Sequence, residues 1–370
     1  MIKSAQPFFS EVHKRKIKKD FDRVLSSGRL IFGPFTSRFE EAFSRYHKRS
    51  YAVAVHSCSA ALEITLRYVG VKGFEVIVPT NTFVATAFSV LRAGGRLVLS
   101  DSEPEYYGLA LSALEKRVTP KTRAVIVVHI GGYMVPWLPE IKKFCNKKSI
   151  ALIEDVAHGH GARLDGKLAG TFGIAGCFSF YPTKIMTSGV GGCILTDNEG
   201  LARFARSLRH FGEGNGLGDI RYEGSNWIMD EFRAVVAYYQ LIALSENLEK
   251  RREIAKWYSQ ELEGIEGIHG LRIQKTQEPA YYRFLSFLGP GYTKANILKS
   301  LREDYGIEAG SLYDPPVHRQ PYFKKSFRYK PVDFSVSEQA LPKQIALPMH
   351  PGLRRKDIHR IAKALKEILE

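Results

Sequence analysis

Residues 123–156 read "RAVIVVHIGGYMVPWLPEIKKFCNKKSIALIEDV". Both ends, 123–130 and 150–156, are short, β-branched and nearly unbroken apolar stretches, and between them "LPEIKKFCNKK" spaces its apolar residues as a helix does. Strand, helix, strand in that order predicts a parallel pair joined by a crossover. Strands apolar on both faces belong to a sheet covered on both sides. The same alternation runs upstream. "YAVAV" (51–55), "EVIVP" (75–79) and "RLVLSD" (96–101) read as strands, and "SAALEITLRYVGV" and "TFVATAFSVLRAGG" as the helices between them. Downstream, "GCFSFY" and "GGCILTD" lie too near each other for a crossover helix, which predicts antiparallel pairing. The fold class is therefore α/β: a large domain with a mostly parallel mixed sheet covered by helices. A long helical pattern over 229–265, then sparser strands such as "YYRFLSFLG" and a C-terminal amphipathic helix, predict a smaller α+β domain. The expected division is 1–245 for the large domain, its N-terminal segment free to pack on the small one, and 246–370 for the small domain.

The 370 residues are 44% hydrophobic and 25% charged, an ordinary balance for a soluble globular protein. No apolar run is long enough for a bilayer, and "MIKSAQPFFSEVHKRKIKKDF" lacks the apolar region of a signal peptide. The formal net charge of +16 raises the question of an anionic partner. The basic residues are scattered and interleaved with apolar ones at helical spacing, so they read as solvated helix faces, and neither nucleic acid nor membrane is expected. Cys58, Cys145, Cys177 and Cys193 form no C-x-x-C pair and lie among apolar or small residues, as buried reduced thiols of a cytoplasmic protein do.

Chemistry concentrates at the strand ends. In "IALIEDVAHGHGA" an acid pair, Glu154 and Asp155, ends a strand, where open α/β sheets bind ligands. A helix N-cap would account for Asp155 alone, but not for the His158-Gly159-His160-Gly161 that follows. The two imidazoles stand only two apart with no third ligand in view, so no metal is expected. In "AVHSCSAALEITL", small residues join a strand to a helix start, an anion site by its free N–H groups and dipole, although serine there is more often a plain cap. Phe83, just past the strand 75–79, offers a ring for stacking or a core side chain. Lys184 sits between apolar stretches in "GCFSFYPTKIMTSGVGG", where lysine is rare unless it is paired or has a task. The glycine-rich "FGEGNGLG" (211–218) opens no helix after a strand. A dinucleotide fingerprint is thus absent, and a mobile loop is the expectation.

A strand-end aspartate, a desolvated lysine, an anion-binding helix start and a stacking ring are together the parts that pyridoxal phosphate requires. The lysine condenses with its aldehyde as a Schiff base, and the carboxylate keeps the pyridine nitrogen protonated.

"EDVAHGHGA", "AGTFG", "GCFSFYPTK", "GVGG" and "LTDN", in that order, resemble the core signature of the DegT/DnrJ/EryC1/StrS aminotransferases, fold-type I pyridoxal phosphate enzymes that aminate keto-sugars. "GRLIFGPFTSRFEEAFSRYH", "FEVIVPTNTFVATAFSVLRAGGRLVLSD", "GSNWIMDEFRAVVAYYQL", "LYDPPVHRQPYF" and "IALPMHPGL" extend the likeness over nearly the whole chain. The resemblance implies that Lys184 carries the cofactor and shuttles the proton, that Asp155 pairs with the pyridinium, and that Phe83 stacks on the ring. It implies that Ser59, Ala60 and Ser179 hold the phosphate, that Asn226 reaches it from the other subunit of a homodimer with shared sites, and that His158 lies near the 3-oxygen. The expected function is transfer of an amino group from glutamate or glutamine to a keto-sugar, most naturally one linked to a nucleotide.

Three positions depart from the family pattern. His158 stands where many members have glutamine, and resembles the branch that aminates cyclitol ketones or makes aminohydroxybenzoate. A keto-cyclitol acceptor is therefore the alternative, alongside a cofactor-binding regulatory protein without turnover. Asn226-Trp227-Ile228 lacks the usual arginine, and Val190 replaces an acid. Relatives with histidine for the lysine are dehydratases; Lys184 points to transamination.

Overall fold

The computed structural model describes residues 1–103, 107–216, 218–327 and 329–370. Its strands are β1 (Tyr51–Val55), β2 (Glu75–Pro79), β3 (Arg96–Ser100), β4 (Thr122–Val128), β5 (Ala151–Asp155), β6 (Arg163–Leu164), β7 (Lys167–Leu168), β8 (Ala175–Ser179), β9 (Gly192–Thr196), β10 (Ile268–Gly270), β11 (Gln277–Glu278), β12 (Phe284–Leu288) and β13 (Gln344–Leu347). Seven of them form the main sheet in the order β1-β9-β8-β5-β4-β2-β3. Neighbours from β8 to β3 pair in parallel, and β9 opposes both β8 and β1, so β9 alone runs against the rest. The expected mostly parallel mixed sheet with helices on its faces is what the chain forms.

The two-residue period of a strand sends alternate side chains to opposite faces. In β4, Val125 and Val127 enter one apolar core, while Ala124, Ile126 and Val128 enter another. The first core includes helix Pro34–His47 (Phe39, Phe43) and helix Glu231–Ile242 (Ala234, Val235); the second includes helix Cys58–Val69 (Leu62, Ile64, Leu66) and helix Glu199–Leu208 (Leu201, Ala205). Two covered faces explain why these strands read as continuous apolar runs.

A third core lies around the antiparallel sheet β10-β12-β13 and the C-terminal helix Arg355–Leu369. The N-terminus joins it: Ile2 N donates to the Gly306 carbonyl (2.8 Å), and Met349 N donates to that of Ser4 (3.1 Å). Val317, Phe323 and Phe334, far along the chain, return to the second core of the main sheet. Tyr329 Oη covers the β3 edge there, accepting from Leu99 N (3.2 Å) and donating to the Leu97 carbonyl (3.1 Å).

The helical pattern at 229–265 is two helices, not one. Glu231–Ile242 and Leu244–Glu261 meet at Ala243, whose ψ of −5 breaks the regular turn. The second helix then reaches from the first core (Leu244, Leu248) to the third (Ile254, Tyr258). The expected loop at 211–218 is partly ordered into a turn: Glu213 and Ile220 form an antiparallel bridge, and Gly214 N donates to the Asp219 carbonyl (2.7 Å). Leu217 lies outside the described residues.

Gly33 answers for the "GP" before helix Pro34–His47. The Glu231 carboxylate receives Phe35 N (2.8 Å) and Thr36 N (2.9 Å) at the helix start. A Cβ at Gly33 would stand 2.5 Å from Glu231 Oε2.

Candidate active site

The ends of five main-sheet strands converge on one cavity of about 480 Å³. Ser57, Cys58 and Ser59 follow β1, Thr82 and Phe83 follow β2, Val128 ends β4, Asp155 ends β5 and Ser179 ends β8. This is where an open α/β sheet holds ligands. Lys184, on the turn between β8 and β9, lines the same cavity.

Asp155 is buried and its oxygens are assigned. Oδ2 accepts from Thr86 Oγ1 (2.8 Å), and Oδ1 accepts from Ala157 N (3.0 Å). Its neighbour Glu154 points to the other face of the sheet, wholly buried and away from the cavity. Oε1 accepts from Phe172 N (2.6 Å) and Gly173 N (2.8 Å), and Oε2 from Gly170 N (2.8 Å) and His129 Nε2 (3.0 Å). Burial alone would raise its pKa, but those donors outweigh burial and hold it below the usual value. Glu154 is thus the anchor of the 170–173 loop, and Asp155 is the acid of the cavity.

Lys184 is partly buried, and no carboxylate lies within ion-pair distance of its Nζ among the described residues. Burial lowers its pKa; Tyr282 and Asp155 pull the other way. His158 is buried and its hydrogen bonds fix its tautomer. Nδ1 accepts from Gly131 N (3.2 Å), which leaves Nε2 to carry the proton toward Tyr313 Oη (3.0 Å). Burial, then Lys184, keeps this imidazole well below its ordinary pKa and therefore neutral.

Helix Cys58–Val69 starts at the cavity wall, with Ser57 as its N-cap. Gly192 allows a close approach there: a Cβ on it would stand 2.3 Å from the Ser57 carbonyl carbon and 2.6 Å from Cys58 N. The Cys58 thiol is pushed well above its usual pKa, by burial first and Asp155 second, so it is inert rather than nucleophilic.

Six of the eight residues singled out in the sequence line this cavity: Ser59, Phe83, Asp155, His158, Ser179 and Lys184. Phe83 caps helix Val84–Arg92 and is 55% exposed, so it is not the core side chain that was the other reading. Ala60 lies off the cavity wall, and its N–H donates to Ser57 Oγ (3.2 Å). Asn226 is exposed beside His210 and does not line the cavity of its own chain.

Sequence reading missed Thr86, Thr183, Tyr282 and Tyr313, which share this wall. Thr86 was visible in "TFVATA" as one turn after Thr82, to which it hydrogen-bonds (2.9 Å). Tyr282 stacks on His158 with ring centroids 4.1 Å apart. Nothing local in "YYRF" or "LYDPP" announces that these tyrosines return to Thr183 after β8 and to His158 after β5, 99 and 155 residues away.

The donor set suits pyridoxal phosphate: an amine with no carboxylate partner, a carboxylate held by a hydroxyl, an exposed ring, and hydroxyls at a helix start that a neighbouring glycine approaches closely. Among the described residues no cluster of His, Cys, Asp and Glu could hold a metal, and no helix is long and apolar enough to cross a membrane.

The chain is similar to known proteins over nearly its whole length. The sequence model of the DegT/DnrJ/EryC1/StrS aminotransferase family matches residues 11–366. The dTDP-3-amino-3,4,6-trideoxy-alpha-D-glucose transaminase of Micromonospora megalomicea is 31% identical, over 94% of this chain and 93% of its own. GDP-perosamine synthase of Caulobacter vibrioides is 32% identical, over 91% of each. The crystal structure of S. venezuelae DesV in complex with a ketimine intermediate superposes with a TM-score of 0.92 at 28% identity, covering 100% of this chain and 99% of that one.

Proposed function

Since the chain belongs to the DegT/DnrJ/EryC1/StrS aminotransferase family and is a pyridoxal phosphate-dependent transaminase, we propose that it moves an amino group from glutamate or glutamine to a keto-sugar carried on a nucleoside diphosphate. The observation that carries this reading is Lys184, an amine whose pKa burial lowers, in the same cavity as Asp155. The nucleotide-linked acceptor is supported by the two relatives named for dTDP- and GDP-linked sugars; a keto-cyclitol and a regulatory role are not favoured.

In this reading Lys184 would hold the cofactor covalently, Asp155 would pair with its ring nitrogen, Phe83 would stack on its ring, and Ser59, Ser179 and the start of helix Cys58–Val69 would take its phosphate. The cofactor when bound supplies an electron sink for the carbon that loses its proton. Lys184 Nζ would take that proton and return it elsewhere, the task of a positioned amine whose pKa burial lowers. Thr86 and Ala157 N fix the direction of the Asp155 carboxylate, which would meet the cofactor's ring nitrogen and favour its protonated form. Neutral His158 contributes a hydrogen bond through Nε2 or through Tyr313, and no charge.

Asn226 lies outside its own cavity on an exposed segment, which supports a homodimer in which each copy supplies Asn226 to the other's site. The proposed domain division at 245/246 falls just beyond the helix junction at Ala243. Four buried, unpaired cysteines support a cytoplasmic setting.

The test is a two-step incubation. Purified protein given pyridoxal phosphate should turn yellow, glutamate or glutamine should bleach that band, and a nucleotide-linked keto-sugar should restore it and appear as the amine by mass spectrometry. A protein that never develops the band sinks the reading. One that bleaches but aminates no nucleotide sugar sinks the acceptor.

A further inference from the structure

Tyr282 touches both Lys184 and His158. It is buried, its ring is 16° from parallel with that of His158, and Lys184 Nζ lies 4.8 Å from its centroid. Its hydroxyl is 2.9 Å from Thr183 Oγ1, so one hydrogen bond ties it to the residue beside Lys184. Arg283 packs on the same ring, with Cζ 4.4 Å from the centroid.

These contacts matter because of what surrounds the amine. Asp155 and Cys58 face Lys184 from β5 and the helix start, His158 and His160 from the turn after β5, and Tyr282 and Arg283 from the segment before β12. None of the acids is at ion-pair distance, the histidines are held neutral, and Arg283 repels. An ammonium in such a place loses its hydration without gaining a salt bridge. The face of an aromatic ring is the favourable contact left to it.

We propose that Tyr282 is a positioning residue for the reacting amine: its ring face holds Lys184 Nζ in the cavity, and Thr183 fixes the ring. The assignment rests on the reading of Lys184 as that amine. A ring that favours the charged amine opposes the burial that disfavours it, so Tyr282 sets how basic Lys184 is when free.

Competitive labelling tests this on the cofactor-free full chain. Trace acetic anhydride is applied across pH, and acetylation of Lys184 is read by peptide mass spectrometry against an exposed lysine. Tyr282→Leu should lower the midpoint for Lys184 by roughly 0.4–1.5 units, the worth of a cation–ring contact. Tyr282→Phe, which keeps the ring, should retain most of the wild-type value. Circular dichroism shows that both variants are folded. A Leu variant with an unmoved midpoint overturns the assignment, as does a Phe variant that falls as far as Leu. The functional reading fails by a different sign, the absence of a visible band when wild-type protein is given pyridoxal phosphate.

Discussion

The cavity has two walls of different origin. One is made by strand ends: Ser57 to Ser59, Asp155 and Ser179, with Lys184 on the turn that follows β8. The other is made by Tyr282 and Tyr313, which arrive from the C-terminal part of the chain and close on His158 and Thr183. The strand-end wall carries the groups proposed to react. The tyrosine wall carries rings and single hydrogen bonds that tune them. Substitutions on the first should therefore abolish chemistry, and those on the second should adjust it.

The largest effect is expected at Lys184. Lys184→Ala should lose borohydride-fixed cofactor, read by intact mass, and roughly three orders of magnitude or more in turnover, as loss of a covalent catalyst does. Substantial activity in this variant would mean that the strand-end wall does not carry the reaction. Asp155→Asn comes next. It keeps the shape and the Thr86 hydrogen bond but removes the charge proposed to face the ring nitrogen, and turnover should fall roughly 10²–10⁴-fold. A loss confined to cofactor retention would instead make Asp155 a binding group.

The strand-end wall was legible in the sequence because each of its members is fixed by its own strand. β5 ends at Asp155 and β8 at Ser179, and Lys184 follows β8 by five residues in a segment closed by Lys184 N to the Tyr181 carbonyl (2.9 Å) and Ser188 N to that of Phe180 (3.0 Å). Neither Tyr282 nor Tyr313 has such a local determinant; tertiary packing alone brings them in. The same limit shows at Glu154 and Asp155. The sequence presents them as a pair, but the two-residue period of a strand turns them to opposite faces, and only one enters the cavity. The helix junction at Ala243 was hidden for a related reason. Both helices bury apolar residues, so their pattern reads on through the break, and the cores they serve are a tertiary fact.

Glu154, on the far face of the same strand and outside the cavity, sharpens the contrast, since it should matter to stability and not directly to chemistry. Glu154→Gln exchanges a buried carboxylate, paired with His129 and three backbone N–H groups, for an amide that cannot accept them all. About 3 kcal/mol of unfolding free energy should be lost, measured by denaturant titration. A pH dependence belongs with it. His47 and His160, at about 4 and about 3, and His158, well below its usual value, are all held neutral by burial. Their folded pKa values lie under the unfolded value near 6.5. The unfolded chain therefore takes up protons first as pH falls, and stability is full above about 6.5 and declines below it. Glu154, whose folded pKa is also lowered, adds a further loss below about 4.3. The melting temperature should therefore drop between pH 7 and pH 5, before most carboxylates titrate. A flat profile there would mean that these histidines are charged in the fold.

The smallest effect is expected on the tyrosine wall. Tyr313 Oη receives the Nε2 proton of a neutral His158 whose Nδ1 is occupied by Gly131 N, so its own proton is free to turn toward a ligand. Tyr313→Phe removes that donor and leaves His158 Nε2–H without its partner, while the ring keeps its packing against Phe83, 5.5 Å between centroids. One neutral hydrogen bond is worth about 0.5–1.5 kcal/mol, which is roughly a 2–12-fold change. It should appear in the KM for the donor or acceptor, with turnover nearly preserved. A loss in turnover as large as that of Asp155→Asn would move Tyr313 from tuning to chemistry and erase the distinction between the two walls.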